Sequence, residues 1–251
     1  TYNGSVGMSQ ATELPDLAHS YEYAEFYNMA MGTETYTPEM IQKFRDGSDP
    51  DNYADEMYLD ELLGGHTLQT KHELSVSGGS EKVQYMVSMG YLHHDGLLEN
   101  NYFNRYNARV NLRVNLAKNL DLNARISGMT SDRHEPSTPG ILDSGGYGGI
   151  ITAAVRFPGL TPTYLQNGEL GLGPKLQGTP VAWANNCNSF YREDRDRFKG
   201  NLELSWKPVK GLTLRAIGGY NYTLGHTRHY RADMTLTGGQ GTGPSSLSDQ
   251  M

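Results

Sequence analysis

The chain has 251 residues, a formal net charge of −7, one cysteine and a mean hydropathy of −0.60. The acidic balance argues against a broad nucleic-acid surface, and a lone thiol, Cys187, cannot form an internal disulfide and reads as a buried or loop thiol. No run of about 18 apolar residues could cross a membrane as a helix, whereas a membrane β-barrel stays open at low hydropathy because only alternate strand residues face lipid.

In chain order, the pattern predicts about seven strands. Tyr2–Ser9 is the first, with Tyr2, Val6 and Met8 on one face. Two short helices are expected in the loop that follows. Tyr21–Met31 has Ser20 as its expected N-cap. The second has Thr37 as N-cap, Pro38 in the first helical position, Glu39 favouring the dipole and Gly47 as stop. Lys71–Gly78 is the second strand, and Gly78–Lys82 makes a tight turn into the third, Val83–Tyr91. Tyr102–Leu116 is the fourth, and Ala117–Asn119 turns into the fifth, Leu120–Gly128. A long Gly/Pro-rich connection, Pro136–Tyr191, lacks steady alternation; loops of this length are usually functional or disordered. Asp196–Trp206 is the sixth strand, and Lys207–Gly211 turns into the seventh, Leu212–Thr223. Gly238–Met251 shows no strand pattern and reads as an unfinished loop.

The fourth strand shows the pattern best. Tyr106, Ala108, Val110, Leu112, Val114 and Leu116 alternate with Asn107, Arg109, Asn111, Arg113 and Asn115. A pleated strand sends these two sets to opposite faces. The segment is long enough for the roughly 9–11 residues a tilted transmembrane strand needs. Aromatic residues gather near strand ends (Tyr91, Tyr102, Phe103, Tyr106, Trp206, Tyr220, Tyr222), and short turns alternate with long loops, as in outer-membrane barrels. A soluble antiparallel barrel or sandwich would alternate too, with its apolar face inward. Several arginines on the polar face suit a wet lumen better than a dry core.

His72–Lys82 (HELSVSGGSEK), Tyr85–Gly90 (YMVSMG), Asp95–Gly96 and Arg105–Asn111 (RYNARVN) resemble the first barrel strands of the SusC/RagA family of TonB-dependent transporters. Thr1–Met8, Ser20–Asn28 and Ile41–Pro50 resemble neighbouring segments, and Pro158–Gly168 and Lys207–Leu212 match more loosely. The resemblance implies an all-β, antiparallel up-and-down transmembrane barrel of about 22 strands, of which this chain carries an N-terminal part. The extracellular loops would then be about 10–70, 92–101, 129–195 and 224–251. It also implies the Gram-negative outer membrane, a plug and TonB-contacting segment outside this sequence, a SusD-like lipoprotein as lid, and a glycan or oligopeptide substrate. No signal peptide precedes Thr1, and about seven strands cannot close a barrel. The expectation is therefore a truncated or mature piece of a longer polypeptide, with free edges at Thr1–Ser9 and Leu212–Thr223.

Site signals are diffuse. Loop aromatics Tyr147, Tyr164, Trp183 and Tyr191 could stack on sugar rings or pack on a partner. Asn107, Arg109, Asn111, Arg113 and Arg125 are expected to face the lumen or the plug. His93–His94–Asp95 and Asp132–Glu135 lack a matching set of metal ligands, and Asp46, Ser48, Asp49, Asp51 and Asn52 lack EF-hand spacing. Gly145–Gly149 (GGYGG) lacks the Lys-Ser/Thr of a phosphate loop, and no helix is indicated there. No catalytic residue, cofactor or metal is expected. A soluble β-barrel binding module remains the alternative. An extracellular carbohydrate-active enzyme would need a carboxylate pair that the sequence does not display.

Overall fold

The computed structural model describes residues 1–137, 146–173, 177–185, 188–241 and 245–251. Cys187 and Gly145 lie outside them. Ten strands form: β1 (Tyr2–Gln10), β2 (His66–Gly79), β3 (Val83–Asp95), β4 (Tyr102–Ala117), β5 (Leu120–Pro136), β6 (Phe190–Trp206), β7 (Leu214–Arg231), β8 (Thr235–Leu236), β9 (Gln240–Gly241) and β10 (Ser246–Gln250). Seven of them pair in chain order and β10 joins β7, giving an open eight-stranded sheet; β8 and β9 form a separate pair. All pairings in the large sheet are antiparallel.

The short turns at residues 80–82, 118–119 and 207–213 share one rim, and the long connections share the other, as the alternation of short and long links predicts. Backbone bonds tie the short-turn rim together: Asn115 N–H donates to Lys82 O at 2.8 Å and Lys207 N–H to Asn119 O at 2.8 Å. Gly79 closes the first turn with a φ of 156°, and a Cβ there would sit 2.3 Å from the Val83 carbonyl oxygen, so only glycine fits.

Register carries the alternation across strands. One row runs Leu74, Met89, Ala108, Gly128, Phe198, Tyr222; the next runs Val76, Val87, Val110, Ile126, Gly200, Tyr220. These rows, with Leu112, Leu202 and Leu204, make one face apolar. Asn107, Arg109, Asn111, Arg113 and Arg125 all lie on the opposite face. The apolar band extends from Leu116 to Tyr106 on β4, about 33 Å along the strand at ~3.3 Å per residue. At a barrel-like tilt that is close to the ~25 Å apolar belt of outer-membrane proteins. An aromatic row closes its long-loop side: His72 stacks on Tyr91 at 6.4 Å, and Tyr91 on Tyr106 at 4.9 Å.

The structure departs from the sequence pattern where strands leave that band. β5, β6 and β7 have 17, 17 and 18 residues. Each continues beyond its expected end on the long-loop side, into rows where charges replace apolar residues. There Arg192 pairs with Asp132 at 3.2 Å and Asp194 at 3.3 Å on the face that was apolar below. β2 likewise begins at His66 rather than Lys71. Ser246–Gln250, expected as loop, is a strand: it pairs with Thr227–Arg231 and covers only that end of β7. The free edges are therefore β1, β10 and the Leu214–His226 stretch of β7.

The first connection holds three helices rather than two: α1 (Ser20–Met31), α2 (Pro38–Asp46) and α3 (Tyr58–Leu63). The N-cap of α1 is His19, one residue before the expected Ser20. Glu22 accepts from His19 N–H at 3.0 Å, and Asp55 accepts from Ser20 N–H at 2.7 Å. Thr37 caps α2 by accepting from Met40 N–H at 3.3 Å, and Gly47 ends it with a φ of 64°. The long connection adds α4 (Gly146–Arg156) and α5 (Pro180–Asn185). The helix α4 therefore starts inside the GGYGG run, where none was expected. It buries Gly146, Gly149, Ile150, Ala153 and Ala154, a helical period written in residues too small to stand out.

The buried core lies among these connections rather than in the sheet. Tyr58, Leu59 and Leu62 of α3 meet Ile150, Ala153 and Ala154 of α4, Val181, Trp183 and Ala184 of α5, Leu98 and Met234. The loop backbones approach closely: Glu56 N–H donates to Gly159 O at 3.0 Å, and a Cβ on Gly159 would lie 1.9 Å from the Glu56 carbonyl oxygen. Gly159→Ala should therefore loosen this core by about 1–3 kcal/mol, seen as faster amide exchange in α3 and α4. Gly148→Ala, where a Cβ meets nothing within 4 Å, should leave exchange equal or slower.

Candidate functional site

Two regions could meet a ligand, the loop core at the long-loop rim and the polar face of the sheet. The loop core is held by hydrogen bonds between the first and the long connections. Tyr58 donates its hydroxyl to Thr161 O at 2.5 Å, Thr163 N–H donates to Glu56 at 3.4 Å, and Gln166 N–H donates to Asp51 at 2.9 Å. Thr163 and Thr179 hydroxyls pair at 3.0 Å inside it. Burial raises the carboxyl of Glu56 above its ordinary range, with the charge of Glu61 adding to it and the Thr163 hydrogen bond opposing. Burial raises Glu61 as well, and raises the Tyr58 hydroxyl, with Glu56 adding there.

The four loop aromatics singled out by sequence do not converge. Trp183 is only 2% exposed; it sits edge-on to Phe157 and donates its indole N–H to Gln177 O at 2.5 Å. Burial removes its ring from any ligand and makes it a wall of the core. Tyr147 packs, partly buried, against the same core, and its hydroxyl is raised by burial and by the charge of Glu135. Tyr164 is 51% exposed. Tyr191 lies on β6, edge-on to His229 at 6.0 Å. Among the described residues no ring contact joins any two of the four.

The acidic turn after α2 also diverges. Asp46 accepts from Ser48 N–H at 3.0 Å, Asp49 from the Asn52 amide at 2.9 Å, and Asp51 reaches across to Gln166. These carboxylates tie turns and loops rather than face a common point.

On the polar face, Asn107, Arg109, Asn111, Arg113 and Arg125 do come together, with Asn111 directly opposite Arg125. Arg105 on the same strand β4, and Arg197 and Lys199 on β6, join them, and sequence reading did not single these out. Their signal was the alternation of Arg197 and Lys199 with Asp196, Phe198 and Gly200. The aspartate and glycine obscured it. A hollow of about 550 Å³ lies over this surface, lined in part by Arg105, Asn107, Arg109, Arg197 and Lys199.

No family model matches the chain. Over 219 residues it is 21% identical to TonB-dependent receptor P3 of Formosa agariphila, covering 87% of this chain and 20% of that protein. The chain resembles one part of a TonB-dependent receptor. Its fold also matches a part of solved structures of the RagAB peptide importer. The match to the closed-closed state has a TM-score of 0.66 at 20% identity, and that to the open-open state 0.67 at 20% identity. A third, the RagAB peptide transporter, gives 0.68 at 23% identity. Each covers 92% of this chain and 28% of the matched one. The chain thus spans about a fifth of the curated relative and little more than a quarter of the structural ones.

The raised Glu56 has a consequence for pH. A carboxyl raised in the folded state stabilises that state fully below its unfolded pKa, and the contribution is lost as pH rises through the folded value. The loop core should therefore be more protected in mild acid than at neutral pH. Amide exchange in α3, corrected for the intrinsic rate, should show this, and Glu56→Gln, which keeps the acceptor for Thr163, should flatten the dependence.

Proposed function

We propose that this chain forms part of the barrel wall of a TonB-dependent outer-membrane importer. The observation that carries the reading is the two-sided sheet: an apolar face about as tall as a bilayer's apolar belt, edged by aromatics, backed by a face of Arg, Asn and Ser. In lipid, backbone groups must pair within the structure, and the free edges of β1 and β7 require further strands to complete the wall. The similarity to a TonB-dependent receptor and to the RagAB importer structures supports the same reading.

In the intact protein the long connections would lie outside the cell, under a SusD-like lipoprotein, and the polar face would line the lumen or contact a plug coupled to TonB. The substrate class is a short peptide, supported by the similarity to a peptide importer, with glycans as the other class such importers would take. Of the four loop aromatics singled out by sequence, Tyr164 is the one exposed enough to serve either. The role is transport without catalysis.

The test of function is uptake. Cells expressing the intact protein should take up labelled oligopeptides, losing this when the proton gradient is collapsed, and a lipoprotein should co-purify. Uptake that is independent of both would overturn the reading. The facing assignment has its own test. Leu112→Arg should cost about 2–4 kcal/mol of stability in lipid if Leu112 lies near the bilayer midplane, whereas Asn111→Arg should be tolerated. Residues 1–251 alone should fail to give a protease-resistant monomer in detergent, because the free edges stay unpaired; a sharply unfolding monomer would favour a small closed barrel instead.

A further inference from the structure

We propose that the polar face of β4–β6 is a track for acidic peptides in extended form. The proposal rests on the importer reading and specifies its substrate. Arg105, Arg109 and Arg113 lie four residues apart on β4, so they leave every second height empty. Neighbouring strands fill the gaps: Arg197 lies across Met129 from Asn107, and Arg125 lies opposite Asn111. Lys199 lies across Ser127 from Arg109 and doubles the charge at that height. The result is a cation at every step of two residues from Arg105 to Arg113, a ladder of roughly 27 Å with a period of ~6.8 Å.

The other residues at these heights include the neutral Ser88, Asn107, Ser127, Asn123 and Asn201; the carboxylates at these heights are Glu73 on β2, which pairs with Lys71, and Glu203, across Asn123 from Arg113. Among the described residues, none of the six cations forms an ion pair, although other basic side chains of this sheet do, including Lys71 with Glu73 and Arg192 with Asp132. The Nε of Arg105 is shielded from solvent and has no hydrogen-bond partner. Three hollows run along the ladder and share residues end to end. The first contains Arg105, Arg109, Arg197 and Lys199, the second Arg109, Arg125 and Lys199, and the third Arg113 and Arg125. In a chain of net charge −7, a trough with this sign draws anions.

The period selects the class of anion. An extended peptide lying along β4 repeats its side chains on one side at the same ~6.8 Å interval. Glu or Asp at alternate positions would meet one guanidinium per step, and arginine binds a carboxylate through two parallel hydrogen bonds. A peptide with alternating lysines would meet repulsion at every step.

The test uses the full-length protein in detergent and three synthetic peptides of about ten residues, enough to lie along the ladder: alternating Glu-Ala, Gln-Ala and Lys-Ala. Fluorescence anisotropy should rank them Glu-Ala over Gln-Ala over Lys-Ala, with the acidic peptide at least about tenfold ahead of the neutral one and its advantage shrinking as salt rises. The variant Arg109→Gln/Arg125→Gln/Lys199→Gln should collapse the acidic-to-neutral ratio toward one. Arg125→Gln alone, which should reduce it partway, serves if the triple variant does not assemble. Equal binding of acidic and neutral peptides, or a ratio unchanged in the variants, would overturn the track. A sulfated oligosaccharide that competes as well as the acidic peptide would overturn the peptide assignment. Binding of no peptide of any charge would instead count against the importer reading itself.

Discussion

Everything in this molecule hangs on the antiparallel backbone ladder. From β1 to β7 each strand is paired with its neighbour in chain order, β2 over Leu74–Gln69 to both β1 and β3, and β5 over its whole length to β6. Within an apolar medium a backbone N–H or C=O without a partner costs several kcal/mol. The ladder therefore dictates both what the sheet tolerates and what it demands. It tolerates glycine at Gly128, Gly200 and Gly218, because the hydrogen bonds come from the backbone and not from side chains. It demands partners for the backbone along β1 and along the bare part of β7, which this open sheet does not itself supply.

The ladder also explains why the core sits where it does. The open sheet leaves its apolar face exposed, at Val6, Leu74, Met89 and Leu202 among others, and so has no dry interior to fill. Apolar side chains that do pack against one another, among them Tyr58, Ile150, Val181 and Trp183, come from connections at one rim. Those connections are bound to each other through Glu56, Tyr58, Thr163 and Asp51. The molecule thus has two separately stabilised layers. The sheet is fixed by backbone bonds and the loop layer by burial, so the loop layer can respond to the protonation of Glu56 or to a single inserted methyl at Gly159.

What the sequence disclosed follows the same division. β3 and β4 were legible because Val83 to Tyr91, with Met86 the one break, and Tyr106 to Leu116 alternate inside the apolar band. Beyond it, Asp132, Asp194, Arg192 and Arg228 stand where apolar residues would be, and a strand with two polar faces has no period to read. The strand at Ser246–Gln250 offers only Leu247 as an apolar cue. Helix α4 was hidden by its own packing, since Gly146, Gly149, Ala153 and Ala154 let elements approach closely but score as turn or neutral residues. Trp183 was read as a binding aromatic because its exposure is decided by α3 and α4, which come from distant parts of the sequence. The arginines of β4 were evident as a face, whereas their completion by Arg197 and Lys199 depended on the register between β5 and β6.

The length of the strands past the apolar band has a further meaning. On β6, Asp196 stands level with Tyr106 across Thr130, and the strand continues to Phe190, about 20 Å farther along its axis. That overhang is stiffened by Arg192 between Asp132 and Asp194, and by stacked rings from Tyr102 through His134 to Phe190. It works as a pedestal. The loop layer is thereby held clear of the apolar band, on a base of paired strands.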